Sequence, residues 1–158
     1  MLFRSGFPLA VNINESKVSG LEISSQMQIT QSFHLHSSIS YAKSKNLDSN
    51  EDFLARRPEI FGTISLIYQN EAFMIGSELI SKYKTKEKNW DWITPDPNYD
   101  KFVDADDYTV ARLLSSYEFE NGLRISARVE NLFDKEYSEV HGYPALGRAF
   151  HAGLNYSF

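Results

Sequence analysis

Two histidines, His34 and His36, are separated by one residue, which places both imidazoles on the same face if the segment is a strand. Imidazole nitrogens bind zinc and other divalent metals, so two of them on one face are a candidate metal site. A third ligand is not identifiable in the sequence, and this face is predicted to be polar. The pair is therefore interpreted as two hydrated histidines, and no metal site is predicted.

A second group of candidate ligands is the acidic cluster of Asp104, Asp106 and Asp107. Carboxylate oxygens are the ligands that calcium prefers, but the spacing lacks the glycine and the glutamate of a calcium-binding loop. The cluster is interpreted as a solvated loop. The sequence has no cysteine and no recognisable arrangement of serine, histidine and acid. We therefore predict no catalytic residue, no enzyme activity and no cofactor.

The best candidate for ligand contact is a loop at 90–99 that contains Trp90, Trp92 and Tyr99. Aromatic side chains on an exposed loop are typical of binding surfaces. The alternative, that the loop packs on its neighbours, stays open for each of the three residues.

Composition excludes several classes of protein. The chain has 158 residues, of which 42% are hydrophobic, enough for one domain, and its formal charge of −5 argues against nucleic acid as a partner. No apolar run approaches the roughly 18 residues that a transmembrane helix needs, and residues 1–10 lack the apolar core of a signal peptide. A mean hydropathy of −0.40 still allows a membrane β-barrel, because lipid-facing and lumen-facing residues alternate along its strands.

Alternation of apolar and polar side chains predicts an all-β, antiparallel fold. The last segment is the clearest case, because Phe150, Leu154 and Phe158 fall on one face while His151 and Asn155 fall on the other. Its length matches the roughly 9 to 11 residues of a membrane-spanning strand. The seven candidate strands lie at 18–30, 33–42, 60–69, 72–85, 107–119, 123–133 and 148–158.

Connections between these strands alternate in length, and Asn121-Gly122 is a strong hairpin signal. Outer-membrane barrels have short periplasmic turns and long external loops. The tight turns are therefore predicted to lie in the periplasm and the long loops outside the cell. The tight turns are at 31–32, 70–71 and 120–122, and the long polar segments are at 43–59, 86–106 and 134–147.

One face of the predicted strands is apolar, with aromatic residues near both ends, as in the two girdles of a barrel. Aromatic residues also favour strands in general. Arg124, Arg128 and Glu130 are predicted to face the lumen, because arginine facing lipid at the midplane costs about 2–4 kcal/mol. The predicted outward residues are Leu21, Ile23, Met27, Ile29, Phe33, Leu35, Ile39, Tyr41, Ile64, Leu66, Tyr68, Phe73, Ile75, Leu79, Tyr83, Leu113, Tyr117, Phe119, Leu123, Ile125, Ala127, Val129, Phe150, Ala152, Leu154, Tyr156 and Phe158.

The number of strands has a consequence for the size of the barrel. Seven strands that end in the periplasm must begin outside the cell, which leaves residues 1–17 in an external loop. An odd number below the usual minimum of about 8 cannot close in lipid. The chain is therefore expected to be the last third of something larger.

A motif near the end of the chain has the core Asn131, Leu132, Phe133 and Asp134. It extends over 129–137 and continues with Gly142-Tyr143-Pro144, Gly147, Arg148 and the terminal Tyr156-Ser157-Phe158. In this motif the chain closely resembles the carboxy-terminal end of TonB-dependent outer-membrane receptors. Residues 18–22 resemble the family's Gly-Val-Glu strand and Arg56-Arg57-Pro58 its Arg-Arg-Pro segment, so the resemblance covers most of 12–158.

The resemblance implies a carboxy-terminal segment of a transmembrane barrel of about 22 strands whose lumen holds an amino-terminal plug. Such receptors bind an iron-siderophore complex or vitamin B12 and import it with energy passed through TonB. The sequence contains no plug and no TonB box, so contact with TonB is expected only through a preceding part. As a fragment, the chain is not expected to transport or to fold stably alone.

The resemblance also implies an assembly signal at the carboxy terminus. Outer-membrane proteins are similar in ending on an alternating strand with a terminal phenylalanine, which the barrel-insertion machinery recognises. Tyr156 and Phe158 occupy those positions. The expected location is the bacterial cell outer membrane, and the expected partners are its lipid and the insertion machinery.

Two other interpretations stay open. One is a small self-contained outer-membrane barrel with a structural or adhesion role, and the other is a soluble ligand-binding barrel such as a lipocalin. A lipocalin would turn its apolar faces inward and would not need a terminal phenylalanine. A plug and a signal peptide encoded upstream would favour the receptor over the small barrel.

Overall fold

The computed structural model describes residues 15–49, 51–89 and 101–158. Its regular structure is entirely β. The strands are β1 (Ser16–Gln28), β2 (Phe33–Asn46), β3 (Ile60–Gln69), β4 (Phe73–Tyr83), β5 (Lys86–Lys88), β6 (Phe102–Asp104), β7 (Tyr108–Glu118), β8 (Leu123–Glu130), β9 (Ser138–Val140), β10 (Tyr143–Pro144) and β11 (Ala149–Tyr156).

Seven long strands form one antiparallel sheet in the order β1-β2-β3-β4-β7-β8-β11. The short strands form two separate pairs, β5 with β6 and β9 with β10, inside the second and third long connections. Among the described residues, β1 and β11 each have a neighbour on one side only, so the sheet does not close on itself. The predicted antiparallel all-β fold and its seven long strands are confirmed.

The structure differs from the prediction at the loop ends of the strands. β2 continues to Asn46, beyond the predicted end at 42. β8 ends at Glu130, short of the predicted end at 133, because Asn131 adopts a φ of 47°, in the left-handed region that ends a strand. The four short strands were not predicted, since two or three residues are too few to display an alternation.

Strand register aligns the apolar residues into one continuous face. Ile23 of β1 lies opposite Ile39 of β2, and Leu154 of β11 lies opposite Ile125 of β8. A slip of one residue between any two strands would turn the apolar residues of one of them to the other face. The residues predicted to point outward therefore share one side of the sheet.

This apolar face is uncovered. Leu154 is 76% exposed and Phe150 is 74% exposed. In the part of the chain that the structure describes, the buried apolar residues are Leu54, Tyr108 and Ala111, all at or near the long connections. A water-soluble sheet covers such a face with a second layer, whereas the outer face of a membrane barrel meets lipid.

No helix in the described ranges is both long enough and apolar enough to cross a membrane.

The short turns are closed by polar side chains, by Thr30 Oγ1 in the first turn and by asparagine in the other two. Asn70 Oδ1 accepts hydrogen bonds from the backbone N–H groups of Ala72 (3.1 Å) and Phe73 (2.8 Å). Asn121 Oδ1 accepts one from Leu123 N at 3.1 Å. These contacts replace backbone pairing over the turn, which is the usual role of asparagine in tight turns.

Aromatic rings cluster at the same end of the sheet. The ring centroids of Phe33 and Tyr68 lie 5.0 Å apart, and those of Tyr156 and Phe158 lie 6.3 Å apart. Aromatic side chains, with the hydroxyl of tyrosine toward water, suit the boundary of a membrane.

Candidate functional site

Charged side chains form a chain of ion pairs across the inner face of the sheet, opposite the apolar face. Arg112 Nε of β7 lies 2.9 Å from Glu78 Oε2 of β4 and 3.5 Å from Glu130 Oε2 of β8. Arg128 Nε lies 3.0 Å from Glu130 Oε1. The two arginines and the two glutamates balance in charge. Loss of Arg112 would leave Glu78 without its partner, and loss of Glu130 would leave Arg128 without its partner.

Part of this chain of ion pairs was visible in the sequence. Arg124, Arg128 and Glu130 lie on the inner face, where their alternation placed them. Glu78 and Arg112 were overlooked, although the same alternation in β4 and β7 assigns them to this face. The register pairs them directly.

Toward the short turns, small side chains cover part of the inner face. Ser116, Ser126 and Gly153 line a cavity of about 670 Å³ together with Arg124 and His151. Arg124 Nε donates a hydrogen bond to Glu118 Oε2 at 3.0 Å. This part of the inner face can therefore be approached closely by another group, and its charges are already paired.

At the opposite end of the sheet, a buried carboxylate joins the first two long loops. Glu87 of β5 is 1% exposed, and its two carboxylate oxygens accept hydrogen bonds from Arg56 Nε at 3.0 and 3.1 Å. Arg56 also donates its backbone N–H to Lys86 O at 2.8 Å. A buried carboxylate requires such a partner, so the Arg56–Glu87 pair fixes the first loop on the β5–β6 hairpin.

The three aspartates of the acidic cluster connect the second long loop to its surroundings. Each holds a different partner instead of converging on one point. Among the described residues, no group of three histidine, cysteine, aspartate or glutamate side chains is placed to hold a metal ion. The contacts are Asp104 Oδ1 with Lys86 Nζ (2.6 Å), Asp106 Oδ2 with Ser138 N (2.8 Å) and Asp107 Oδ1 with Lys84 N (2.7 Å).

Asn131 organises the third long loop from its first residue. It is 6% exposed, its Nδ2 donates to Lys135 O (2.8 Å) and Leu146 O (3.3 Å), and its Oδ1 accepts from Lys135 N at 2.9 Å. The amide thus binds both ends of the loop. Asparagine suits this place because it tolerates a positive φ and carries a donor and an acceptor on one short side chain.

Asp134 closes the same loop onto the start of β11. Its Oδ1 accepts a hydrogen bond from Arg148 N at 2.6 Å, and Arg148 Nε donates to Leu132 O at 2.8 Å. A Cβ added at Gly147 would lie 2.7 Å from Asp134 Oδ1, too close for the contact to survive unchanged. The residues Asn131, Leu132, Asp134, Gly147 and Arg148 are called the β8–β11 clasp below.

The remaining motif residue, Phe133, is 75% exposed and points away from the clasp contacts. The sequence had singled out Asn131 and Asp134 as members of the family motif. It had not indicated the role of Asn131. The only local signal was that asparagine tolerates a positive φ better than most residues do.

Aromatic residues connect the third loop to β7. The rings of Tyr108 and Tyr137 have centroids 4.2 Å apart, and Tyr108 OH donates to Glu139 Oε1 at 3.2 Å. Burial, followed by the negative charges of Glu139 and Glu130, raises the pKa of the Tyr137 phenol. The loop therefore folds back over the inner face, with neutral phenols at the contact.

Other predicted residues have the following places. Trp90, Trp92 and Tyr99 lie outside the described residues. His34 and His36 are in β2, on the inner face. Tyr156 ends β11, and Phe158 follows it at the chain end.

Comparison with known proteins gives a consistent result. The family model described as "TonB dependent receptor-like, beta-barrel" matches residues 3–132. A protein of Vibrio vulnificus named vitamin B12 transporter BtuB is 31% identical over 93% of this chain and 22% of its own length. The iron-regulated outer membrane virulence protein of Vibrio cholerae is 31% identical over 94% of this chain and 22% of its own length.

Among solved structures, the ferric enterobactin receptor PfeA of Pseudomonas aeruginosa superimposes with a TM-score of 0.73 at 22% identity. The match covers 93% of this chain and 23% of that structure. This likeness concerns the fold. The chain spans about a quarter or less of the length of the curated relatives that it matches.

Proposed function

This chain belongs to the TonB-dependent receptor β-barrel family, whose members are receptors and transporters of the outer membrane and not enzymes, and we propose that it serves in the import of a scarce nutrient. In this proposal its seven strands form part of a barrel wall. The nutrient is an iron-siderophore complex or vitamin B12, and the energy comes through TonB.

The two-faced sheet carries this proposal. Its outer face is apolar and uncovered, and its inner face holds the ion pairs of Arg112 and Arg128 with Glu78 and Glu130. A barrel wall needs this arrangement, because one side meets lipid and the other meets water or a protein segment in the lumen.

We further propose that the long loops face the outside of the cell. These loops are held together by side-chain contacts, including the Arg56–Glu87 pair and the contact of Asp106 with Ser138. A stable rim suits the first encounter with a ligand, since binding residues on ordered loops lose less conformational entropy. Trp90, Trp92 and Tyr99 are proposed to contact the ligand in this rim.

Uptake measurements test the proposal. In this and the later experiments the protein is the full-length receptor that contains this chain, because the seven strands alone form an open sheet and are not expected to transport. It is produced in a bacterial host that lacks its own cobalamin and siderophore receptors, and uptake of labelled vitamin B12 and of labelled ferric siderophores is followed with and without TonB. We expect saturable uptake of one ligand class that disappears without TonB. Uptake that persists without TonB, or no uptake and no binding of either class, would contradict the proposal.

A variant separates the ligand loop from the rest of the wall. Replacing Trp90, Trp92 and Tyr99 together by alanine is expected to raise the KM of uptake more than it lowers the amount of inserted protein. The control is Tyr68→Leu, an aromatic residue at the short-turn end of β3. Equal effects of the two variants on KM would remove the loop from the binding site.

A further inference from the structure

A cavity of about 520 Å³ lies between the third long loop and the inner face of β7, β8 and β11. Its lining includes Tyr108, Tyr137, Tyr143, Glu130 and Glu139. Three tyrosines and two carboxylates around one space make a distinctive chemistry, because aromatic faces and carboxylates both attract positive charge.

The charges around this cavity are paired except at Glu139, since Glu130 lies 3.0 Å from Arg128 as well as 3.5 Å from Arg112. Arg112 also lines it, but its guanidinium is shared between Glu78 and Glu130. Glu139 accepts a hydrogen bond from the uncharged Tyr108 hydroxyl and has no cationic partner among the described residues. One carboxylate in the lining is therefore left without a neutralising charge.

Tyrosine rings form the second part of the cavity lining. Tyr137 is fixed against Tyr108 by ring contact at 4.2 Å, so its position costs little further ordering. Tyr143 of β10 is 73% exposed and lines the cavity from the loop side. A cation between such rings gains from the ring quadrupoles as well as from a nearby carboxylate.

We propose that this cavity is a subsite for a positively charged group of a small molecule, of the quaternary or primary ammonium type. An anionic group would meet the unpaired carboxylate of Glu139 at the same place and is disfavoured. The proposal rests on the proposed function in one respect, that the inner face below the third loop lies on the path of a diffusing ligand.

Binding of choline to the protein purified from outer membranes in detergent tests the subsite. Labelled choline is measured by equilibrium dialysis, with 3,3-dimethylbutanol, its uncharged analogue of the same shape, as competitor. We expect saturable choline binding and an affinity for the uncharged analogue that is lower by about fivefold or more, since the charge carries the interaction. Equal affinities, or no saturable choline binding, would overturn the proposal.

Two variants locate the binding. Glu139→Gln keeps an acceptor for the Tyr108 hydroxyl and removes the charge, so we expect choline affinity to fall by about fivefold to tenfold. Glu136→Gln is the matched control, because Glu136 is an exposed carboxylate of the same loop that does not line this cavity. Similar losses in both variants would contradict the assignment.

Tyr143→Leu provides an independent test, since this exposed residue can be replaced with little effect on packing. We expect weaker choline binding and an unchanged heat-modified mobility of the folded protein. Failure of the subsite is distinguishable from failure of the proposed function. TonB-dependent uptake without choline binding would contradict the subsite alone. Absence of uptake would contradict the proposed function, and choline binding would then decide the subsite independently.

Discussion

The two ends of the seven-stranded sheet are ordered by different chemistry, and two asparagines illustrate the contrast. Asn70 closes a short turn by accepting two backbone hydrogen bonds in an exposed place. Asn131 also bonds backbone groups, but it is 6% exposed and joins residues 15 positions apart. Water can replace the first set of contacts freely, whereas the buried amide of Asn131 restricts its access to the second.

We therefore expect the long-loop end to be more sensitive to substitution than the short-turn end. A buried donor or acceptor that loses its partner keeps its full desolvation cost, whereas an exposed one turns to solvent. The carboxylate of Glu87, which is 1% exposed and depends on Arg56, follows the same rule as Asn131. The short-turn end depends instead on aromatic rings on the outer face, which tolerate small adjustments.

The largest expected effect is the all-or-none exposure of the two ends on intact cells. An epitope tag at Asp96, in the second long loop and outside the described residues, is expected to be labelled without permeabilisation. A tag at Asn121, in a short turn, is expected to be labelled only after the outer membrane is opened. The reverse pattern would invert the topology and place the clasp in the periplasm.

Asn131→Ala tests the energetic contrast. The substitution leaves Lys135 N–H and Leu146 C=O without their side-chain partner, and we expect the free energy of unfolding to fall by about 2–4 kcal/mol. Asn70→Ala is the matched control and should cost about 1 kcal/mol or less. The measurement is denaturant unfolding of the protein in lipid vesicles. Equal losses would show that burial does not separate the two ends.

The strands and the short turns could be predicted from the sequence. The seven strands followed from alternation because each is long enough to repeat a two-residue pattern, as in β11 from Ala149 to Tyr156. The turn at Asn121 followed from local chemistry, since Asn-Gly favours a tight turn whatever surrounds it. Both signals act over a few neighbouring residues.

The contacts of the long-loop end were beyond such signals. Arg56 and Glu87 are 31 residues apart, and nothing local distinguishes Glu87 from an exposed glutamate. Asp134 and Arg148 meet across 14 residues. Arg56, Asp134 and Arg148 lie in segments that resemble family motifs. The fold gives the physical reason, because each of these residues pairs with a segment distant in sequence.

Gly147→Ala probes the clasp from the segment that precedes β11. The added methyl group would lie 2.7 Å from Asp134 Oδ1 and displace the acceptor of Arg148 N, so we expect a loss of about 1–3 kcal/mol in the free energy of unfolding. Gly62→Ala in β3 is the control, because its nearest atom, Ser38 O, is 3.5 Å away. In an Asp134→Ala background the cost of Gly147→Ala should shrink; an undiminished cost would assign the effect to backbone strain.

The smallest expected effect lies at the short-turn end and concerns assembly instead of stability. Phe158 is fully exposed beyond β11, and its ring lies 6.3 Å from that of Tyr156 on the outer face. An aromatic side chain here can sit in the membrane interface while the free edge of β11 awaits its partner strand. We expect deletion of Phe158 to lower the amount of inserted protein severalfold.

Ser157→Ala is the matched control for that deletion. Ser157 alternates with Tyr156 and Phe158, and its contact in the structure is a backbone one, from Ser157 N to Gly122 O at 3.0 Å, which alanine retains. Surface labelling at matched expression measures insertion in both variants. Equal amounts of inserted protein from both variants would show that Phe158 acts only as another lipid-facing side chain. The short-turn end would then contribute to assembly only through its turns.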